Sequence, residues 1–132
     1  MVKKNWIGEN QQDLFQLHQP EKKHIYTVSE LTRQIKGILE NRFPEVWVEG
    51  EISNFKLHTS GHIYFTLKDE QSQLKAVMWR DSVQELKFEL KDGLQVLLFG
   101  RISVFDRQGQ YQIYAEEVEP KGLGALQLAF QQ

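Results

Sequence analysis

The feature that most constrains this chain is a change of hydrophobic period at Pro44. Upstream, Val28, Leu31, Ile35, Ile38 and Leu39 recur at helical intervals, behind a Thr27-Val28-Ser29-Glu30 run with capping-box spacing. A helix of about four turns is expected there, ending near Pro44 and weakened at Gly37. Downstream the period is two. Val46, Val48, Gly50 and Ile52 alternate with Trp47, Glu49, Glu51 and Ser53, as in a strand with one buried face.

The same alternation recurs along the chain. After the segment NFKLHTSG comes HIYFTLKD, with Ile63, Phe65 and Leu67 on one face, then a DEQSQ turn and the strand LKAVMWR. Ser82-Val83-Gln84-Glu85 repeats the capping-box spacing. With Val83, Leu86 and Leu90 it predicts a short helix before the Asp92-Gly93 turn. The strand LQVLLFGRISVFD, a DRQGQ turn and the strand YQIYAEEVEP complete the series. Gly50 and Gly100 lie at the midpoints of the two longest strands, where a five-stranded sheet must coil sharply to close.

Three strands, a helix and two strands describe a mainly β protein. The expected architecture is a five-stranded Greek-key barrel of the OB type, with an N-terminal helix over one end and a short helix between strands 3 and 4. The expected layout is a polar extension over residues 1–24, the barrel over 25–120, and the start of a truncated helix over 121–132. The closing run LGALQLAFQQ is amphipathic but too short to be stable alone, so a longer protein is expected to continue it.

Composition narrows the function. The formal net charge is −2, so an anionic ligand must be met by a local excess of positive charge. Absence of cysteine removes thiolate zinc sites, disulfides and cysteine nucleophiles. Residues 1–24 lack the apolar core of a signal peptide, and no apolar run reaches the ~20 residues of a membrane span. A cytoplasmic protein without a membrane contact is expected. No phosphate loop, nucleophile elbow or metal triad is present. Glu49 with Glu51, and Glu116 with Glu117 and Glu119, read as surface. His58 and His62 straddle a loop and a strand without further ligands. No catalytic residue, metal or cofactor is assigned.

OB barrels bind along strands 2 and 3, between the loops joining strands 1–2 and 4–5. The first loop supplies Asn54, Phe55, Lys56, His58 and Ser60, and leads to His62. Strands 2 and 3 supply Tyr64, Thr66, Lys75 and Trp79, with Arg80 and Arg101 nearby. Phe105, Arg107 and Gln108 come from the second loop, followed by Tyr111. Interleaved cations and aromatic faces are what a single nucleic-acid strand requires, phosphates taking the first and stacked bases the second. Each choice has a plain competitor. Phe55 and Tyr111 equally suit the packing of the barrel's mouth, a bulge would reverse Trp79, and Lys56 and Arg107 also suit solvated loop charges.

The runs VSELTRQIKGILE, VWVEGEISNFKLHTSGHIYFTLKDE, AVMWR, DGLQVLLFGRISVFDRQGQYQIYAEEVEP and GLGALQLAF carry a more specific signal. Together they resemble the N-terminal region of exodeoxyribonuclease VII large subunits over about residues 25 to 132. The resemblance implies a bacterial cytoplasmic enzyme that degrades single-stranded DNA from both ends without requiring a divalent metal. It also implies a helical small subunit as partner, bound through the C-terminal part that this sequence lacks. The N-terminal barrel would grip DNA while the following domain hydrolyses it. The family's first-loop motif falls on Ser53, Asn54, Phe55, Lys56, Ser60, Gly61 and His62. The polar lead before Ile25 is longer than the family's pattern. On the residues alone two other readings stand, a tRNA anticodon-binding barrel and a protein-interaction or sugar-binding barrel.

Overall fold

The computed structural model describes residues 23–122. Helix α1 (Val28–Arg42) begins with a formed capping box. The Thr27 hydroxyl accepts from the Glu30 amide at 3.1 Å, and the Glu30 carboxylate accepts from the Thr27 amide at 3.4 Å. The Phe43 amide closes the last turn on the Leu39 carbonyl, and Pro44 prevents further helix.

Five strands follow: β1 (Val46–Leu57), β2 (Ile63–Lys68), β3 (Gln73–Met78), β4 (Gln95–Phe105) and β5 (Gln110–Pro120), with α2 (Arg80–Gln84) between β3 and β4. They form a closed barrel in the order β1-β2-β3-β5-β4. Neighbours are antiparallel except β3 and β5, which run parallel. Ile52, Met78, Val96, Leu98 and Ile113 are fully enclosed and form the core with Phe65 and Leu67. The expected mainly β five-strand barrel with two helices is the observed one. Among the described residues, no helix is long and apolar enough to cross a membrane.

Two irregularities coil the sheet. The β4–β5 register slips between Phe99 and Gly100, and a Cβ on Gly100 would overlap the Tyr114 carbonyl oxygen. The bend read at Gly100 is thus a bulge with close backbone approach. Gly50 serves differently. It lets β1 lie against β2, because a Cβ there would sit 2.8 Å from Leu67 Cγ and 2.9 Å from the Lys68 carbonyl oxygen. The bulge of β1 falls between Ser53 and Lys56 instead, with Asn54 in the left-handed region at φ 51°. Asparagine tolerates that conformation. The Phe55 amide, within the bulge, donates to the Asp92 carboxylate at 2.9 Å.

Several local expectations are corrected. Asn54, Phe55 and Lys56 lie on β1, not in the loop, because the bulge allows pairing with β2 to resume at Lys56. The Ser82 capping box does not form. Trp79 occupies the N-cap position, its carbonyl receives the Val83 amide, and Ser82 falls inside α2. Leu86 and Leu90 pack on the core from beyond that helix. Of the apolar stripe of α1, only Leu39 packs against the core. Val28, Leu31, Ile35 and Ile38 are exposed, and polar side chains of α1 also reach the barrel. Glu40 accepts from Ser103 Oγ at 2.8 Å, and Lys36 pairs with Asp106 at 3.3 Å. The N-terminal extension and the terminal helix lie almost wholly outside the described residues.

The contrast between two glycines tests this account by urea denaturation. Gly100→Ala should lower the unfolding free energy by an amount at the upper end of the ~1 to 3 kcal/mol typical of overpacking. Gly37→Ala, where an added Cβ meets nothing within 4 Å, should raise it by about 0.5 to 1 kcal/mol.

Candidate nucleic-acid interface

The outer faces of β1, β2, β3 and β5 meet in a groove of about 530 Å³. Strand alternation determines which side chains reach it. With Ile63, Phe65 and Leu67 inward on β2, Tyr64 turns out, and on β3 inward Ala76 and Met78 leave Lys75 and Trp79 outward. Trp79 keeps the parity of Lys75, so no bulge reverses it. Asn54 and Lys56 enter from the bulged part of β1, and Phe105 and Gln108 from the far end of β4 and its turn.

Lys56 and Lys75 are the charged residues of this lining, and no carboxylate is among them. A chain of net charge −2 therefore carries a groove with a local surplus of two positive charges. Tyr64, Trp79, Phe105 and Tyr114 supply aromatic surface, and Asn54, Gln108, Gln110 and Gln112 supply amides that both donate and accept hydrogen bonds.

The aromatics are ordered by their neighbours. Trp79 and Tyr114 stack with centroids 5.7 Å apart and planes inclined by 25°. The Arg101 guanidinium lies 4.6 Å from the Tyr114 centroid, a cation–π contact. Glu40 stands 3.7 Å from the same guanidinium. The His62 ring meets Trp79 edge-on at 4.8 Å, and its Nδ1 accepts from the Arg80 amide at 2.8 Å. Arg101, Tyr114, Trp79 and His62 thus form one continuous ladder.

Of the residues singled out in the sequence, Asn54, Lys56, Tyr64, Thr66, Lys75, Trp79, Phe105 and Gln108 converge on the groove. Others are placed differently. Phe55 packs against the core. His58 and Ser60 build their own loop, with His58 Nδ1 at 2.9 Å from Ser60 Oγ and 3.1 Å from the Ser60 amide nitrogen. His62, Arg80 and Arg101 flank the groove, the Arg80 methylenes lying against Gly61. Arg107 is exposed in the β4–β5 turn, outside the lining. Tyr111 lies near Val48, Leu67 and Leu74 at one end of the barrel. Sequence reading missed Tyr114, Gln110 and Gln112. The alternation that puts Ile113 inside was the available signal for them.

No group of three or more His, Cys, Asp or Glu poised to hold a metal occurs among the described residues. Asp69, at the β2–β3 turn, accepts the amides of Gln71 and Ser72, both at 2.8 Å, and these bonds hold its carboxyl below the ordinary aspartate value. That turn is outside the groove lining.

Comparison with known proteins places this geometry. The family profile described as an OB-fold nucleic acid binding domain matches residues 26–119. Among curated relatives, the exodeoxyribonuclease 7 large subunit of Geotalea daltonii is 55% identical over 108 residues, 82% of this chain and 24% of the relative. The same-named protein of Nitratiruptor sp. is 50% identical over 109 residues, 83% of this chain and 26% of its own length. The chain thus spans about a quarter of the relatives it matches. Among solved structures, asparaginyl-tRNA synthetase from Pyrococcus horikoshii aligns at TM-score 0.50 and 15% identity, covering 67% of this chain and 22% of that one. A replication protein A heterotrimer bound to single-stranded DNA aligns at TM-score 0.50 and 14% identity, covering 65% of each chain. These two likenesses concern the fold alone.

The ladder makes a structural prediction of its own. His62→Ala removes the acceptor of the Arg80 amide and should lower the unfolding free energy by about 1 kcal/mol. The near-ultraviolet circular dichroism of the Trp79–Tyr114 pair should change with it; an unaltered spectrum and midpoint would mean that His62 does not order the ladder.

Proposed function

The chain belongs to the OB-fold nucleic-acid-binding domains, and from that premise we propose that its groove captures single-stranded DNA on behalf of an exodeoxyribonuclease VII large subunit. The observation carrying this reading is the joint placement of four outward aromatic rings and two unopposed lysines in one groove. Bases of an unpaired strand stack on Tyr64, Trp79, Phe105 and Tyr114, each stack contributing about 1 to 3 kcal/mol. Lys56 and Lys75 meet the phosphates. The amides serve base edges without committing to one base, so capture is tolerant of sequence.

Capture alone breaks no bond. Hydrolysis of the phosphodiester, from either strand end, belongs to the roughly three quarters of such a subunit that lie beyond the matched region. The helical small subunit is assigned to that remainder, and the cytoplasm is the compartment in which the enzyme works. The barrel's part is to raise the local concentration of strand at the hydrolytic domain and to hold it unpaired. With few cations in the groove, affinity is modest and falls with salt.

Fluorescence anisotropy with a labelled single strand of about 20 nucleotides, beside matched RNA and duplex, tests the reading. The DNA strand should bind in preference to duplex. Trp79→Ala and Tyr114→Ala should each weaken it roughly tenfold to a hundredfold. Lys56→Ala or Lys75→Ala should reduce the log–log salt slope by about 0.7. Tyr111→Ala, outside the groove, should leave binding unchanged. Loss of binding with Tyr111→Ala but not Tyr114→Ala would move the site to the barrel's end, and preference for RNA would favour the anticodon-type reading.

A further inference from the structure

A second surface is independent of the groove. β5 pairs with β3 only through Gln112, Ile113 and Tyr114, whereas its pairing with β4 continues to Pro120. From Glu116 onward, among the described residues, no strand pairs with the side of β5 turned away from β4. A slot of about 760 Å³ runs along that side, and Glu116, Glu117, Val118, Glu119 and Pro120 all line it. Side chains of a strand alternate between its faces, so consecutive residues share one cavity only where the strand is met edge-on. The opposite wall is the segment after α2, which brings Leu86 and Phe88.

An unpaired strand edge beside an apolar wall is a template for one more strand. Charge decides which strand fits. Glu85, Glu116, Glu117 and Glu119 line the slot against one cation, Lys87. None of these four carboxylates takes part in an ion pair among the described residues, whereas Glu40, Glu49 and Glu51 all do. Glu117 and Glu119 are exposed while Val118 between them is buried, so successive side chains of an added strand would meet carboxylate and apolar wall in turn.

We infer that the open edge of β5 docks an extended cationic segment of a protein partner, about five residues long, in which lysine or arginine alternates with aliphatic residues. Main-chain hydrogen bonds to β5 provide the attachment, and the four carboxylates select the sign of charge. A nucleic acid is repelled from this slot, so the two surfaces serve different partners at once.

The test uses the 132-residue chain, ¹⁵N-labelled, and the capped peptide Lys-Val-Lys-Val-Lys-Val-Lys. Amide shifts should concentrate in residues 116–119 and 85–88. Glu117→Gln together with Glu119→Gln should weaken the peptide roughly tenfold. A peptide methylated on alternate amide nitrogens keeps its charge but loses one hydrogen-bonding edge, and should fail to bind the unmodified protein; this arm stands even if the double variant folds poorly. The inference is overturned by equal binding of the methylated peptide, by shifts centred elsewhere, or by no binding at low salt. Because single-strand binding is measured separately, either surface can fail without the other.

Discussion

Three residue pairs close this barrel. Lys75 opposite Gln112, Ala76 opposite Ile113 and Val77 opposite Tyr114 form the parallel seam between β3 and β5, the only junction among the described residues that is not antiparallel. Remove it and the five strands become an open sheet with two bare edges. The seam is also the floor of the groove, since Lys75, Val77, Gln112 and Tyr114 all line it. Closure of the core and assembly of the groove are therefore one event, and the ladder of rings exists only because two strands distant in sequence are brought side by side.

That juxtaposition depends on the bulge at Gly100. Before the slip Phe99 faces Glu117; after it Gly100 faces Ala115 and Arg101 faces Tyr114, so Glu116 is left over. One surplus residue inverts the alternation of everything beyond it. Val118 is inward on one side of Glu116, and Ala115 and Ile113 are inward on the other. The slip turns Tyr114 outward to meet Trp79 and the Arg101 guanidinium. Glycine is required because β4 and β5 approach too closely there for a side chain.

The legible parts of the sequence were those where local pattern and tertiary environment agree. The capping box at Thr27, the change of period at Pro44, the five alternating strands and the bend at Gly100 all have local causes, and each is found. Tyr114 was missed because an alternation carried back from Val118 through the surplus Glu116 points it inward, although the neighbouring Ile113 signals the opposite. The helix face was legible only in part. Periodicity reports that Val28, Leu31, Ile35 and Ile38 share a side of α1 but not what lies against it, and the barrel holds the helix by Lys36 and Glu40. At Ser82 the spacing of a capping box was present, yet the end of β3 had already set the helix start at Trp79. Local spacing proposes a boundary, and the neighbouring strand overrides it.

The shortness of the seam gives the barrel a natural line of opening. Its three pairs are the fewest at any junction of the sheet, so separation there breaks the fewest main-chain contacts. On the proposed reading, a strand lying across the groove touches both sides of that line and favours the closed form. Occupancy and closure then become a single equilibrium, each stabilising the other by mass action. Ile113 is sealed inside the barrel and touches no ligand, yet it holds the line shut opposite Ala76. On that reading its packing bears on affinity from inside the barrel.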